Sequence, residues 1–182
     1  MTDAAELPEL PIHDMAARHY GLTPGPALSY QEAARVCLDR HHKPPTNFNI
    51  RLRNQQSGVV VRWTPADARC QAAWANTDVA TENAAYGCAL AACEVTAQLH
   101  AVRRAETGTG ADYYVAPEGF GVDDLEGCLR LEVSGTDHGS ESLVEQRLQD
   151  KIAQARKGRS NLPAMAGVVG FRVRLIVMET IE

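Results

Sequence analysis

The stretch Thr107–Gly135, TGTGADYYVAPEGFGVDDLEGCLRLEVSG, decides how the chain is read. A glycine-rich turn leads into a short strand, DYYV, that opens on Asp112. A long acidic loop follows, and then a second strand, CLRLEVS, that carries Glu132. Strand alternation puts Arg130, Glu132 and Ser134 on one face, and Leu129, Leu131 and Val133 on the other, toward a core. A carboxylate flanked by Leu131 and Val133 is costly unless it is exposed or paired. If the two strands are neighbours, Asp112 and Glu132 meet at one end of a sheet. Two carboxylates and waters there suit Mg²⁺ or Mn²⁺. Otherwise Asp112 is a turn acid and Glu132 an ion-pair partner across the sheet. The strand parity permits both.

Working outward, the pattern predicts a helix from about Ser142 to Lys157. Its apolar stripe is Val144, Leu148 and Ile152, and its polar stripe Arg147, Lys151 and Gln154. Lys151 sits at the edge of the buried face, within reach of a sheet-end site. Upstream, an alanine-rich helix is expected from about Asp78 to about Glu106, stopped by Gly108 and Gly110, with Glu94 on the same stripe as Leu90 and Ala97. GVVGFRVRLIVMETI closes the chain as one long strand or two short ones. The C-terminal half therefore reads helix, strand, strand, helix, strand.

The N-terminal half reads as an addition to that core. SYQEAARVCLDRHH starts with a capping box, Ser29 and Glu32, and stops at Pro44 and Pro45. FNIRLR and VVVRW form a β-hairpin about NQQSG, which extends the sheet or forms a separate layer. TPADARCQAAWA begins a helix with Thr64 as cap, Pro65 at the first position and Asp67 in the first turn. Residues 1–27 are proline-rich and read as an extended arm with one helical turn around residues 12–20. The expected organisation is one α/β domain, a mixed central sheet flanked by helices. It comprises the arm (1–27), a helix–hairpin–helix addition (28–77) and a core (78–182).

The acid after GTGA, the acid in LRLEVSG and the helix RLQDKIAQ together resemble the PD-(D/E)XK nuclease-like superfamily, over roughly residues 78–178. The resemblance implies a restriction-endonuclease-like core that runs helix, three strands, helix, strand. It also implies metal-dependent phosphodiester hydrolysis, in a setting such as restriction, repair or antiviral defence. Residue by residue, Asp112 takes the place of the metal-binding aspartate and Glu132 that of the glutamate. Glu94 stands for the extra helix acid of some members, and Gln154 for the glutamine that some carry after the motif. The departure is Ser134, which stands where the motif lysine is expected. Some members relocate that lysine, and Lys151 is the candidate here. Others lose it and serve as inactive binding modules, so a partner subunit that binds protein or nucleic acid is the alternative. A small-molecule enzyme using the Asp/Glu pair for acid–base work is a third reading.

With 182 residues, 45 % hydrophobic and 23 % charged, the chain has ordinary globular composition. A net charge of −5 argues against a general nucleic-acid coat. A basic island nevertheless runs from Arg35 to Arg62, and Lys43, Arg51, Arg53 and, on the later helix, Arg147 are the candidate phosphate contacts. A protein partner with an acidic face fits that island equally well. Five cysteines without a CxxC pair or a secretion signal point to reduced thiols in a cytoplasmic protein. No apolar run is long enough to span a bilayer. His41 and His42 project about 100° apart on a helix and cannot share a metal, so no zinc site is expected. There is no GxSxG and no phosphate-binding loop, and GTGTGA follows a helix, which makes a dinucleotide site weak. Oligomeric state is not legible.

Overall fold

The alanine-rich helix is the axis of the molecule. In the computed structural model, which describes residues 6–181, it is α4 (Thr77–Ala97), and its buried residues run almost without a break from Ala84 to Cys93. A helix apolar all round must be covered on opposite sides. On one side lies α2 (Pro24–Asp39), on the other a sheet. Small alanine side chains let both approach closely.

The sheet has seven strands in the order β2-β1-β7-β6-β5-β4-β3. The strands are β1 (Thr46–Leu52), β2 (Gln55–Val61), β3 (His100–Arg104), β4 (Tyr113–Ala116), β5 (Leu129–Thr136), β6 (Ala164–Gly170) and β7 (Leu175–Ile181). The meander β3-β4-β5 and the hairpins β1-β2 and β6-β7 are antiparallel, whereas β5 with β6 and β1 with β7 are parallel. The chain is thus α/β, a mixed open sheet flanked by helices. Helix α5 (Glu141–Lys157) crosses from β5 to β6 and covers the face opposite α4. Its Val144, Leu148 and Ile152 pack on Ala164, Ala166 and Val168. The first hairpin extends the sheet through β1 and β7, and the closing segment is two strands.

Several local expectations give way to tertiary structure. The long helix ends at Ala97, where Gln98 turns left-handed at φ 53. The following residues, helix formers by composition, pair instead with β4 (Ala101 with Val115, Arg104 with Tyr113). The core order is therefore helix, three strands, helix, strand, strand. Helix α2 starts at Pro24 with Thr23 as N-cap, because proline suits the first helical turn. Ser29 lies inside that helix and caps nothing. The short helix α3 (Ala68–Ala73) is capped by Asp67, which accepts from Cys70 N–H at 2.7 Å, and not by Thr64. The arm carries one turn, α1 (Met15–Arg18), and its Leu10, Ile12, Met15 and Leu22 are buried in the main core. Residues 1–5 of the arm lie outside the described residues.

Candidate active site at the β4–β5 sheet end

The pairing of Tyr113 with Leu131 sets Asp112 opposite Glu132 across the antiparallel pair. Strand alternation then decides the partner of Glu132. Leu131 and Val133 pack with α4, so Glu132 faces α5. It is 3 % exposed, and its Oε1 accepts from Lys151 Nζ at 2.6 Å. The same ammonium donates to Gln154 Oε1 at 3.2 Å. This polar stripe of α5 is turned toward the sheet end.

Asp112 is anchored twice. Its Oδ2 accepts the Val133 N–H at 2.8 Å, and its Oδ1 accepts from the Tyr86 hydroxyl at 3.1 Å. The same hydroxyl lies 3.0 Å from Glu82 Oε1, one turn earlier on α4. One proton cannot serve both acids, so two carboxylates compete for it. Arg104 Nη2 stands 3.8 Å from Asp112 Oδ1. Its guanidinium is held over the rings of Tyr86 and Tyr113, at 4.5 and 4.7 Å from their centroids, and donates to Tyr30 Oη at 3.4 Å. Tyr30 and Tyr113 are bonded through their hydroxyls.

The electrostatics follow from burial. Glu132 is raised above the usual carboxylate range, first by desolvation and then by the negative charge of Asp112, while the Lys151 bond pulls the other way. Burial, aided by the Asp112 carboxylate, also raises the Tyr86 hydroxyl. Two clefts flank this end. One, of about 470 Å³, is lined by Asp112, Glu132, Arg104, Gln154 and Lys157. The other, of about 590 Å³, is lined by Glu82, Ser134, Arg147 and Lys151. Arg130 braces the first from behind its lining. It is buried, and its guanidinium donates to the carbonyls of Leu162, Thr109 and Ala155, which ties the GTG turn and the end of α5 to β5. Gly158 is obligatory at this junction, since a Cβ there would lie 2.0 Å from the Thr109 carbonyl oxygen.

Asp112, Glu132, Lys151 and Gln154 are thus brought together, and Arg147 reaches the neighbouring cleft, where it donates to Ser134 Oγ at 3.4 Å. Glu94 is not part of the group. It lies twelve residues beyond Glu82, about 18 Å along the helix axis, and is held by Arg18 and His19. The helix acid of this site is Glu82. The basic strand face is also corrected. Arg51 is ion-paired with Glu145 of α5. Arg53 lies past the end of β1 in a left-handed turn at φ 54, with its Nε on Thr180 Oγ1. Arg35 donates to the carbonyls of Thr64 and Pro65, Arg40 pairs with Asp137, and Arg62 pairs with Glu9. Most of the basic island is therefore engaged within the molecule. Lys43 lies in the segment before β1 and is not among the residues lining the two clefts.

Sequence reasoning missed Glu82, Tyr86 and Arg104. The spacing of Glu82 and Tyr86, one turn apart, was a visible signal, whereas Arg104 was hidden by the helix assigned over β3. No cysteine lines either cleft, and burial pushes the thiols of Cys37 and Cys93 up to about 12. Among the described residues no helix is long and apolar enough to cross a membrane. Comparison with protein-family models, with curated proteins and with solved structures finds no match for the chain.

Proposed function

We propose that the Asp112–Glu132 end of the sheet is a divalent-metal-dependent phosphodiesterase site acting on nucleic acid, of the PD-(D/E)XK kind. The observation that carries this reading is Lys151 Nζ, on α5, 2.6 Å from Glu132 Oε1. It supports a lysine relocated from the position of Ser134. The order helix, three strands, helix, strand from α4 to β6 supports it further.

The donor set fits Mg²⁺ or Mn²⁺. Glu132 has one oxygen outside the lysine bond, and each Asp112 oxygen keeps a lone pair beyond its single donor. Burial and the charge of Asp112 disfavour ionised Glu132, a strain that a bound cation relieves. Asp112 and Glu132 would hold the ion, with Glu82 on the adjoining helix. When bound, such an ion supplies charge stabilisation at a phosphoryl oxygen and lowers the pKa of a water ligand.

The chain's own residues do the rest. Lys151 presents an ammonium to charge developing on the phosphate, and Gln154 orients it by accepting a hydrogen bond from it. Arg104, locked over two tyrosine rings, is a preorganised cation for a neighbouring phosphate. Arg147 and Lys157 line the two clefts on either side and would contact the backbone. These four cations replace the hairpin arginines as the expected grip.

The test is cleavage of single- and double-stranded DNA and RNA with Mg²⁺ or Mn²⁺, with Glu132→Ala and Lys151→Ala variants. Metal-dependent cleavage lost in both variants is expected. Cleavage that survives Glu132→Ala overturns the site.

A second reading is favoured by the same ion pair, because Lys151 occupies one of the oxygens a metal would use. On that reading the fold is a non-catalytic module. It predicts nucleic-acid binding without cleavage, weakened by Arg104→Ala and Arg147→Ala.

A further inference from the structure

A second polar constellation lies at the opposite end of β5, outside the site above. There the end of α2 delivers His41, and the loop between β5 and α5 delivers Asp137 and His138. The ligand atoms of the three residues all lie within 4.8 Å of one another. His41 Nε2 is 3.0 Å from Asp137 Oδ1, and His138 Nε2 is 3.1 Å from Asp137 Oδ2. We infer that His41, Asp137 and His138 form a binding site for one first-row transition ion of the zinc type, with an open coordination position facing the larger cleft.

Four observations carry the inference. Asp137 is 8 % exposed, yet its Oδ2 is buried with no aligned hydrogen-bond donor, although nitrogens of Arg40 and His138 come within 3.3 and 3.1 Å. A buried carboxylate oxygen is rarely left so. The loop is braced, because its Thr136 and Asp137 carbonyls accept from Phe171 and Arg172 N–H. The His41 and His138 rings meet edge to face at 4.7 Å, each with its Nε2 on a different oxygen of the carboxylate. Asp137 and His138 line the cleft of about 590 Å³ that also holds Lys151. Three protein ligands and an accessible fourth position are the pattern of reactive rather than structural zinc.

The chemistry selects the ion class. Mg²⁺ and Ca²⁺ are hard ions that take oxygen ligands, whereas two of the three groups here are imidazoles. Here a single carboxylate is partly neutralised by Arg40, so the ion must be one that imidazole binds strongly. The pair of adjacent histidines does not supply the site. His42 points elsewhere and donates from Nε2 to the Phe171 carbonyl at 2.7 Å. Its role is to hold the end of α2 against β6.

A superficially equal cluster, His19, Glu94 and His100, does not qualify. Ala101 N–H donates to His19 Nδ1 at 2.9 Å, so that nitrogen carries no proton. The proton must sit on Nε2, where it faces Glu94 at 3.1 Å, and a metal there would require an imidazolate. Among the described residues no donor fixes His41 Nδ1, so its proton can move there and free Nε2.

The test is titration of the tag-free chain with Co²⁺, read by visible absorption and by equilibrium dialysis. In excess Mg²⁺, which fills the Asp112–Glu132 end if that end holds a metal, one Co²⁺ per chain with a saturable d–d band, displaced by Zn²⁺, is expected. His138→Ala, at a 70 % exposed side chain, should leave the fold intact and weaken binding by about 100-fold or more, since loss of a mere outer partner already costs 10–100-fold. Glu132→Gln should leave the band unchanged, which separates this site from the proposed nuclease centre whatever the fate of that reading. Absence of a saturable band, or a band that persists in His138→Ala, overturns the inference.

Discussion

Glu94, on α4, and Glu132, on the face of β5 turned toward α5, are two carboxylates largely withdrawn from water, each facing a base. The first is saturated. Arg18 Nε donates to one oxygen at 2.7 Å and His19 Nε2 to the other at 3.1 Å. Arg18 is in turn fixed by the carbonyls of Pro11 and Asp14. That cluster fastens α1 and the arm to α4 and β3. The second is unbalanced. Lys151 meets one oxygen of Glu132, while Asp112 and Glu82 add negative charge beside a cleft. Residue type alone does not separate a clamp from a site. The difference lies in how many oxygens are already satisfied and in which group meets the cleft: Glu132 itself lines one, whereas beside Glu94 it is Arg18 and His100 that do.

The largest contrast is expected in activity. On the proposed function, Glu132→Ala lowers the metal-dependent cleavage rate by roughly 10²–10⁴-fold, the contribution of one positioned acid–base or charge-stabilising group. Glu94→Ala leaves the rate of the folded protein within about twofold, as expected of a group outside the transition state. Initial rates, with folding checked by circular dichroism, measure both. Equal losses in the two variants would erase the distinction.

The next effect is in stability against pH. Burial, opposed by the Glu94 charge, lowers His19 from 6.5 to about 4. The folded state thus resists protonation of a ring that the unfolded chain protonates freely. The associated stability is present above pH 6.5 and is lost as pH falls toward 4, by roughly 3 kcal/mol in all. Urea unfolding between pH 7 and 4 should reveal it. His19→Gln, whose amide can still accept from Ala101 N–H and donate to Glu94, should flatten the profile. Smaller again is Glu94→Ala at neutral pH, where loss of a carboxylate that satisfies two donors should cost roughly 2 kcal/mol. The same denaturation measures it.

The contrast also explains what the sequence made legible. Strand parity placed Glu132 on the face away from Leu131, and helix spacing placed Lys151 at the edge of the buried stripe of α5. Both are local rules, and both positions follow from them. Glu94 was misplaced because its stripe on α4 is apolar all round. Periodicity then cannot say which end of the helix lies over which end of the sheet. Residues 98–106 read as helix because their composition favours it, and only pairing with β4 makes them a strand. That one strand hides Arg104. Arg51 alternated correctly along β1, yet its partner Glu145 lies on a helix ninety-four residues away. Charge balance across such distances has no local signature. Asp137 and His138 looked like ordinary loop residues for the same reason, since His41 reaches them only after the sheet is assembled.

The smallest effect reverses the sign of the His19 profile and so sharpens the comparison most. Glu132 is raised above 4.5 by burial and by Asp112. The folded state therefore keeps this carboxyl protonated to higher pH than the unfolded chain does. The stability tied to that proton is complete below the unfolded value and is lost as pH rises through the folded one. Glu132→Gln stays neutral throughout, so its stability relative to the parent should increase with pH, even though Lys151 loses its partner at every pH. Thermal melts from pH 4 to 8 in a chelator read the slope directly. Mg²⁺ at pH 8 should then raise the melting temperature of the parent and leave Glu132→Gln unmoved, because only the ionised carboxylate gains from a bound cation. The His19 end should not respond to Mg²⁺, since the Arg18 guanidinium at 2.7 Å already balances the Glu94 charge and His19 engages its other oxygen. If the parent melts alike with and without Mg²⁺ while its pH slope persists, Lys151 is the permanent counter-ion of Glu132 and the module binds without cutting.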